Sequence, residues 1–237
     1  TQAMASWVPG YLRERRLAAV LDPASPWRGG YAPAQWTGLT DHLRAAGYSD
    51  HTIETSGLAT RARTGRLVDR FRDRLMLPIR DVDGHVIAFI GRAAPDADSR
   101  APKYLNSPET PLYRKSDAVF GLAETRLFWQ SGATPVLVEG PLDAIAVDLA
   151  SHGQHCGLAP CGTALTPTQA QAVLDASRPG GHLSVALAGD DAGRAAAALA
   201  FPRLYAPDVE LSMVELEPGA DPASLLQRDG RDGLRDV

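Results

Sequence analysis

The stretch "GATPVLVEGPLDAIAVDLAS", Gly132 to Ser151, changes its periodicity halfway. Val136 to Val138 is a short apolar run that stops at Glu139-Gly140, and Pro141 then suits the first turn of a helix, where a missing N–H costs nothing. Glu139 thus stands at the carboxyl end of a strand. In open α/β sheets ligands bind at that edge, and Asp143, one helical turn later, can face the same crevice. The pattern then repeats. "HCGLAPCGTALTPTQAQAVLDAS" predicts a strand at His155 to Ala159, a Gly162-Thr163 turn, and a helix begun by Thr166-Pro167. "HLSVALAGDDAGRAAAALAFPRLY" predicts a strand at Leu183 to Leu187, an acidic turn and an alanine-rich helix. "DVELSMVEL" is a fourth strand, and in "EPGADPASLLQRDG" Asp221-Pro222 opens a last helix. This alternation implies an α/β fold, a four-stranded parallel sheet flanked by helices.

Three carboxylates from distant parts of the chain, Glu139, Asp190 and Asp221, fall at strand-to-helix turns on one sheet edge. Hard divalent cations such as magnesium favour such oxygen ligands. Each residue alone has a plainer explanation, since aspartate is common in turns and caps helices. Their convergence favours a metal site. Ala188 occupies a position in the third turn where a further carboxylate could stand.

Composition narrows the class. The chain has 237 residues, 44% hydrophobic and 22% charged, enough for one large or two small domains. No apolar run is long enough to span a membrane, and "TQAMASW" lacks the regions of a signal peptide, so a cytoplasmic setting is expected. The first methionine is at position 4, so the expectation is an excised segment of a longer protein. The two cysteines, Cys156 and Cys161, suit a reducing compartment and cannot form a four-cysteine zinc site. Charge is uneven along the chain: residues 61–126 carry thirteen basic and nine acidic side chains, whereas residues 131–237 carry six and fourteen. A basic surface for polyanions beside an acidic pocket would produce this pattern, as would two ordinary solvated surfaces.

"VEGPLDAIA", "GTALTPTQA" and "GDDAGRAA" resemble the successive motifs of a Toprim domain, the metal-binding module of bacterial-type primases, topoisomerases and related nucleases. The resemblance implies that Glu139, Asp190 and Asp221 are catalytic and bind metal, Mg2+ or Mn2+, with Asp143 also in the metal site. The first aspartate of the family's Asp-x-Asp pair falls on Ala188, a vacant ligand position. Asp191 is adjacent, but its side chain points elsewhere in a turn.

Upstream, "FRDRLMLPIRDVDGHVIAFIGRA", Phe71 to Ala93, reads as two strands around an Asp83-Gly84 turn. "PKYLNSPETPLYRKSDAVFGLAETR", Pro102 to Arg126, reads as a basic loop with interleaved aromatics, then a helix. Arginine and lysine near tyrosine suit phosphate contact and base stacking; a hairpin with solvated arginines is the alternative. "GYAP", Gly30 to Pro33, precedes a helical stretch, "PAQWTGLTDHLRAAGYS". These segments, in this order ahead of the Toprim motifs, resemble the RNA-polymerase core of bacterial-type, DnaG-like DNA primases. The resemblance implies a smaller α+β N-terminal subdomain at 1–130 and the Toprim domain at 131–237. It places Arg72, Arg74, Arg92, Lys103, Tyr104, Asn106 and Lys115 in a cleft for nucleic acid and nucleotide. It implies synthesis of short RNA primers on a single-stranded DNA template from ribonucleoside triphosphates. It also leaves room for helicase or relaxase domains in a larger protein of a mobile element. Two other readings stay open: another Toprim enzyme such as a nuclease, or a non-catalytic nucleic-acid-binding module, for which Ala188 is the best support.

Overall fold

The computed structural model describes residues 6–162, 164–235 and 237. The chain divides into two compact units: one comprises residues up to 11, 20–79 and 86–115, and the other comprises residues 12–19, 80–85 and 116–237.

The first unit opens with helix α1 (Val8–Glu14), whose later residues group with the second unit. Strand β1 (Gly30–Ala32) follows, then helices α2 (Gly38–Ala45) and α3 (Asp50–Thr55), and a small ribbon of β2 (Ala59–Arg61) and β3 (Leu67–Asp69). The expected strand pair is present as β4 (Arg74–Arg80) and β5 (Val86–Ala93), with β6 (Tyr104–Asn106) beyond it. They form a four-stranded sheet in the order β1-β4-β5-β6. Alternation in β4 sends Leu75, Leu77 and Ile79 into the core, each fully buried. The segment read as a basic loop holds β6, because Tyr104 to Asn106 extends the sheet through pairing with Ile90 to Arg92.

The second unit runs β7 (Val119–Phe120), α4 (Arg126–Ser131), β8 (Thr134–Leu137), α5 (Pro141–Ser151), β9 (His155–Pro160), α6 (Pro167–Ala176), β10 (Gly181–Val185), α7 (Asp191–Leu204), β11 (Val209–Met213) and α8 (Pro222–Asp229). Strand order is β11-β10-β8-β9-β7. The first four are parallel, as the sequence implies, and β7 adds a fifth, antiparallel edge strand against β9. Two residues carry too little pattern to separate a strand from the flanking loop. The Gly162-Thr163 turn involves Thr163, which lies outside the described residues.

Local chemistry explains the helix starts. Thr166 caps α6 by accepting from the Gln169 amide (3.1 Å), while the Gln169 side chain accepts from the Thr166 amide (3.0 Å). Helix α5 is buried from Pro141 through Asp148 and lies against β9. The contact requires glycine at 157, where an added Cβ would come within 2.1 Å of the Ala144 carbonyl oxygen. Val173, Leu183, Val185 and Leu204 join the sheet to α6 and α7 in one apolar core.

Within this unit, Glu124 is only 2% exposed at its side chain and lies 3.4 Å from the Arg80 Nε. Burial pushes its carboxyl up to about 7 despite the arginine's charge, and Asp148 adds to the rise. The folded state therefore holds this proton more tightly than the unfolded chain. The associated stability is fully present below the ordinary glutamate range and is lost as pH rises through about 7. The expected result is a melting temperature that falls between about pH 5 and about pH 8, with Glu124→Gln removing about 1–3 kcal/mol of that decline in denaturant titrations.

Candidate metal and nucleic-acid site

The carboxyl edge of the parallel sheet collects the acidic residues. Glu139 is exposed just beyond β8, and Asp143 sits in the first turn of α5, only 8% exposed. Asp190 is the N-cap of α7, its Oδ1 accepting from the Gly193 amide at 2.7 Å. Asp221 is the N-cap of α8, accepting from the Ser224 amide at 2.7 Å, and Ser224 Oγ accepts from the Asp221 amide in return. Asp190 and Asp221 therefore play the capping role open to aspartate, each through its Oδ1.

Three contacts draw these turns together. Asp143 Oδ1 accepts from the Ala223 amide at 3.1 Å, joining the first turns of α5 and α8. The Gly189 amide donates to the Ala220 carbonyl at 2.9 Å, and the Gly219 amide donates to the Gly189 carbonyl at 3.2 Å. Gly189 packs so closely here that a Cβ would meet the Glu217 carbonyl oxygen at 2.0 Å. The Asp190 turn thus lies against the Asp221 turn. Burial pushes the Asp143 carboxyl up to about 7, reinforced by the negative charges of Asp221 and Glu139. Like charges crowded at one edge, all on oxygen donors, fit a hard divalent cation.

The ligand oxygens are not drawn tightly together. Among the described residues, the only acidic or histidine trio with ligand atoms within 4.8 Å of one another is Asp81, Asp83 and His85. That trio forms the turn between β4 and β5, where Asp81 Oδ1 accepts the Asp83 and His85 amides. Ala188 stands two residues before Asp190. The adjacent Asp191 side chain is 100% exposed and pairs with Arg194 at 2.5 Å.

The basic residues of the first unit divide into two groups. Arg72 is half-buried, its guanidinium 4.2 Å from the centre of the exposed Trp36 ring and bonded to the Asp69 carbonyl. Lys103 is exposed, with its ammonium 5.8 Å from the Tyr104 ring centre. Tyr104 and Asn106 are half-buried in β6, and Lys115 is exposed. Arg74 and Arg92 depart from the expectation of cleft-lining cations. Arg74 is 6% exposed and donates to the Gly91 and Pro102 carbonyls, whereas Arg92 is 7% exposed, donates to the Ala93 carbonyl and lies over Tyr11. Arg74 is held by two backbone carbonyls, and Arg92 by one carbonyl and the Tyr11 ring, partners that offset part of the cost of burying each charge.

Residues 2–126 match the family of the DNA primase catalytic core, N-terminal domain, and residues 134–232 match the Toprim domain. The chain belongs to the DNA primase catalytic core family. It is 37% identical over 231 residues to the DNA primase of Mycolicibacterium smegmatis, covering 96% of this chain and 36% of that protein. For the DNA primase of Streptomyces coelicolor the figures are 36% over 210 residues, 88% and 32%. The chain therefore spans about a third of the length of these relatives. Its fold is similar to the RNA polymerase domain of Mycobacterium tuberculosis primase DnaG (TM-score 0.82, 34% identity, 100% of this chain and 77% of the other). It is also similar to a DnaG primase catalytic domain bound to single-stranded DNA (TM-score 0.80, 30% identity, 99% and 72%).

In this primase core, three features escaped the sequence reading. Trp36 stacks with Arg72; Asp69 accepts from the Leu39 and Thr40 amides at the start of α2; and Asp73 joins Trp7 to Tyr31. An isolated tryptophan in a polar stretch was the one available signal, since the other two depend on long-range contacts. Divalent-cation chemistry is that of the Toprim family. Magnesium or manganese should raise the melting temperature of this chain, and Glu139→Gln should abolish most of that rise. Because Glu139 is exposed, the substitution alone should change stability by about 0.5 kcal/mol or less, as calorimetry with and without the cation would show.

Proposed function

We propose that this chain is the catalytic core of a DNA primase that makes short RNA primers on single-stranded DNA from ribonucleoside triphosphates. The observation that carries the reading is the convergence of Glu139, Asp143 and Asp221 on the carboxyl edge of a Toprim sheet, with the Asp190 turn bonded alongside. In this reading residues 131–237 are the catalytic domain and residues 1–130 are the nucleic-acid and nucleotide-binding subdomain. Glu139, Asp190 and Asp221 hold the metal, and Asp143 supports them from behind while anchoring α8. Bound Mg2+ or Mn2+ would make the primer 3′-hydroxyl more acidic and offset charge on the transferring phosphoryl group. Glu139, exposed at the strand end, accepts the hydroxyl proton. Arg72, Lys103 and Lys115 hold phosphates, Tyr104 and Asn106 contact the strand, and Arg74 and Arg92 keep the sheet beneath them in shape. Among the described residues no helix is long and apolar enough to cross a membrane. A cytoplasmic replication role accords with the reading.

Ala188 gives the site one carboxylate fewer than the family pattern. It favours one other reading, a nucleic-acid-binding module without catalysis. Primer synthesis on single-stranded DNA, by this chain and by Ala188→Asp with magnesium or manganese, separates the two. The expected result is weak synthesis by this chain, about tenfold or more product from Ala188→Asp, and none from Glu139→Ala in that background. If Ala188→Asp neither tightens metal binding nor makes product, the module without catalysis is the correct account.

A further inference from the structure

Asp73 lies between Arg72 and Arg74, immediately before β4, and its backbone is unusual. Its φ of 49° is in the left-handed region, which a residue other than glycine adopts at a cost. The conformation is held by its surroundings. Asp73 Oδ1 accepts from the Trp7 indole N–H at 2.9 Å and from the Tyr31 hydroxyl at 2.7 Å, and the Asp73 amide donates to the Pro33 carbonyl at 3.3 Å. Burial, and then the bond and charge of Asp73, push the Tyr31 hydroxyl up to about 12, so it remains a donor at any working pH. On one side of this kink Arg72 emerges onto the exposed face of Trp36. On the other, Arg74 turns inward onto the Gly91 and Pro102 carbonyls. A chain in ordinary extended conformation through residue 73 would place alternate residues 72 and 74 on the same face. The two guanidinium groups also repel each other, and the Asp73 carboxylate opposes that repulsion.

We propose that Asp73 is a positioning residue for nucleic-acid binding: pinned by Trp7 and Tyr31, its kink directs Arg72 outward to a strand phosphate while Arg74 stays inside. The proposal rests on the reading of the first unit as a nucleic-acid-binding subdomain. It runs against simple electrostatics. Removing a negative charge beside a DNA-binding arginine should tighten binding, whereas loss of the pinning should weaken it.

The test is binding of a labelled single-stranded DNA oligonucleotide to the full 237-residue chain over a series of salt concentrations. Arg72→Ala should weaken binding about 3–10-fold and reduce the salt slope by about 0.7, the value for one phosphate on a single strand. Asp73→Ala and Asp73→Gly should do the same, the glycine variant because it relieves the backbone but lacks the acceptor. Asp73→Asn keeps an acceptor oxygen and tolerates positive φ, so it should bind as tightly as the parent or more tightly, with an unchanged slope. Asp73→Ala combined with Arg72→Ala should bind like Arg72→Ala alone, within about twofold, because the two residues act through one contact. If Arg72→Ala weakens binding while Asp73→Ala leaves affinity and slope intact, the positioning role is wrong. The same holds if the double variant loses the two effects independently. If Arg72→Ala itself leaves affinity and slope unchanged, the reading of the basic unit fails, and with it the basis of this proposal.

Discussion

The buried carboxylate of Asp143 constrains everything at the carboxyl edge of the parallel sheet. It accepts from the Ala223 amide and so joins the N-terminal turns of α5 and α8, yet Asp221 and Glu139 act on it with like charge. A carboxyl in such a position either keeps its proton or requires a nearby positive charge. Among the described residues no arginine or lysine is bonded to it. The same helix ends that position the carboxylates also engage one oxygen of Asp190 and one of Asp221 in caps. Capping and metal binding are therefore compatible uses of one residue, because a carboxylate has two oxygens.

The sequence made the Toprim half largely legible because its strands alternate with helices at short intervals and its helix starts carry chemical marks. Thr166-Pro167 and Asp221-Pro222 are capping residues followed by proline, and both open helices where expected. The primase family and the α/β fold followed from motifs spread over most of the chain. What was hidden depends on distance. Two-residue β7 has no periodicity of its own and exists because β9 offers an edge. Charge density along the sequence does not separate exposed from buried arginines; packing in the sheet leaves Lys103 exposed and buries Arg74 and Arg92.

In the proposed reading, the first unit builds its binding surface on residues that do not themselves bind. Asp73, Trp7 and Tyr31 form a fixed polar corner, and Asp69 anchors the start of α2 beside Trp36. The acidic members of a basic surface are therefore structural partners, and net charge understates their role. Ala188 is the counterpart in the second unit under the same reading: one carboxylate fewer would lower the local negative charge and the number of oxygen donors together, which would trade metal affinity for reduced repulsion.

The central claim, that the acidic edge of the Toprim sheet is the metal site of a primase core, is tested most directly by anomalous diffraction from crystals of this chain soaked in manganese. The account predicts a peak within about 2–2.5 Å of carboxylate oxygens of Glu139 and of Asp190 or Asp221. A peak confined to the Asp81, Asp83 and His85 turn, with none at the sheet edge, would contradict it.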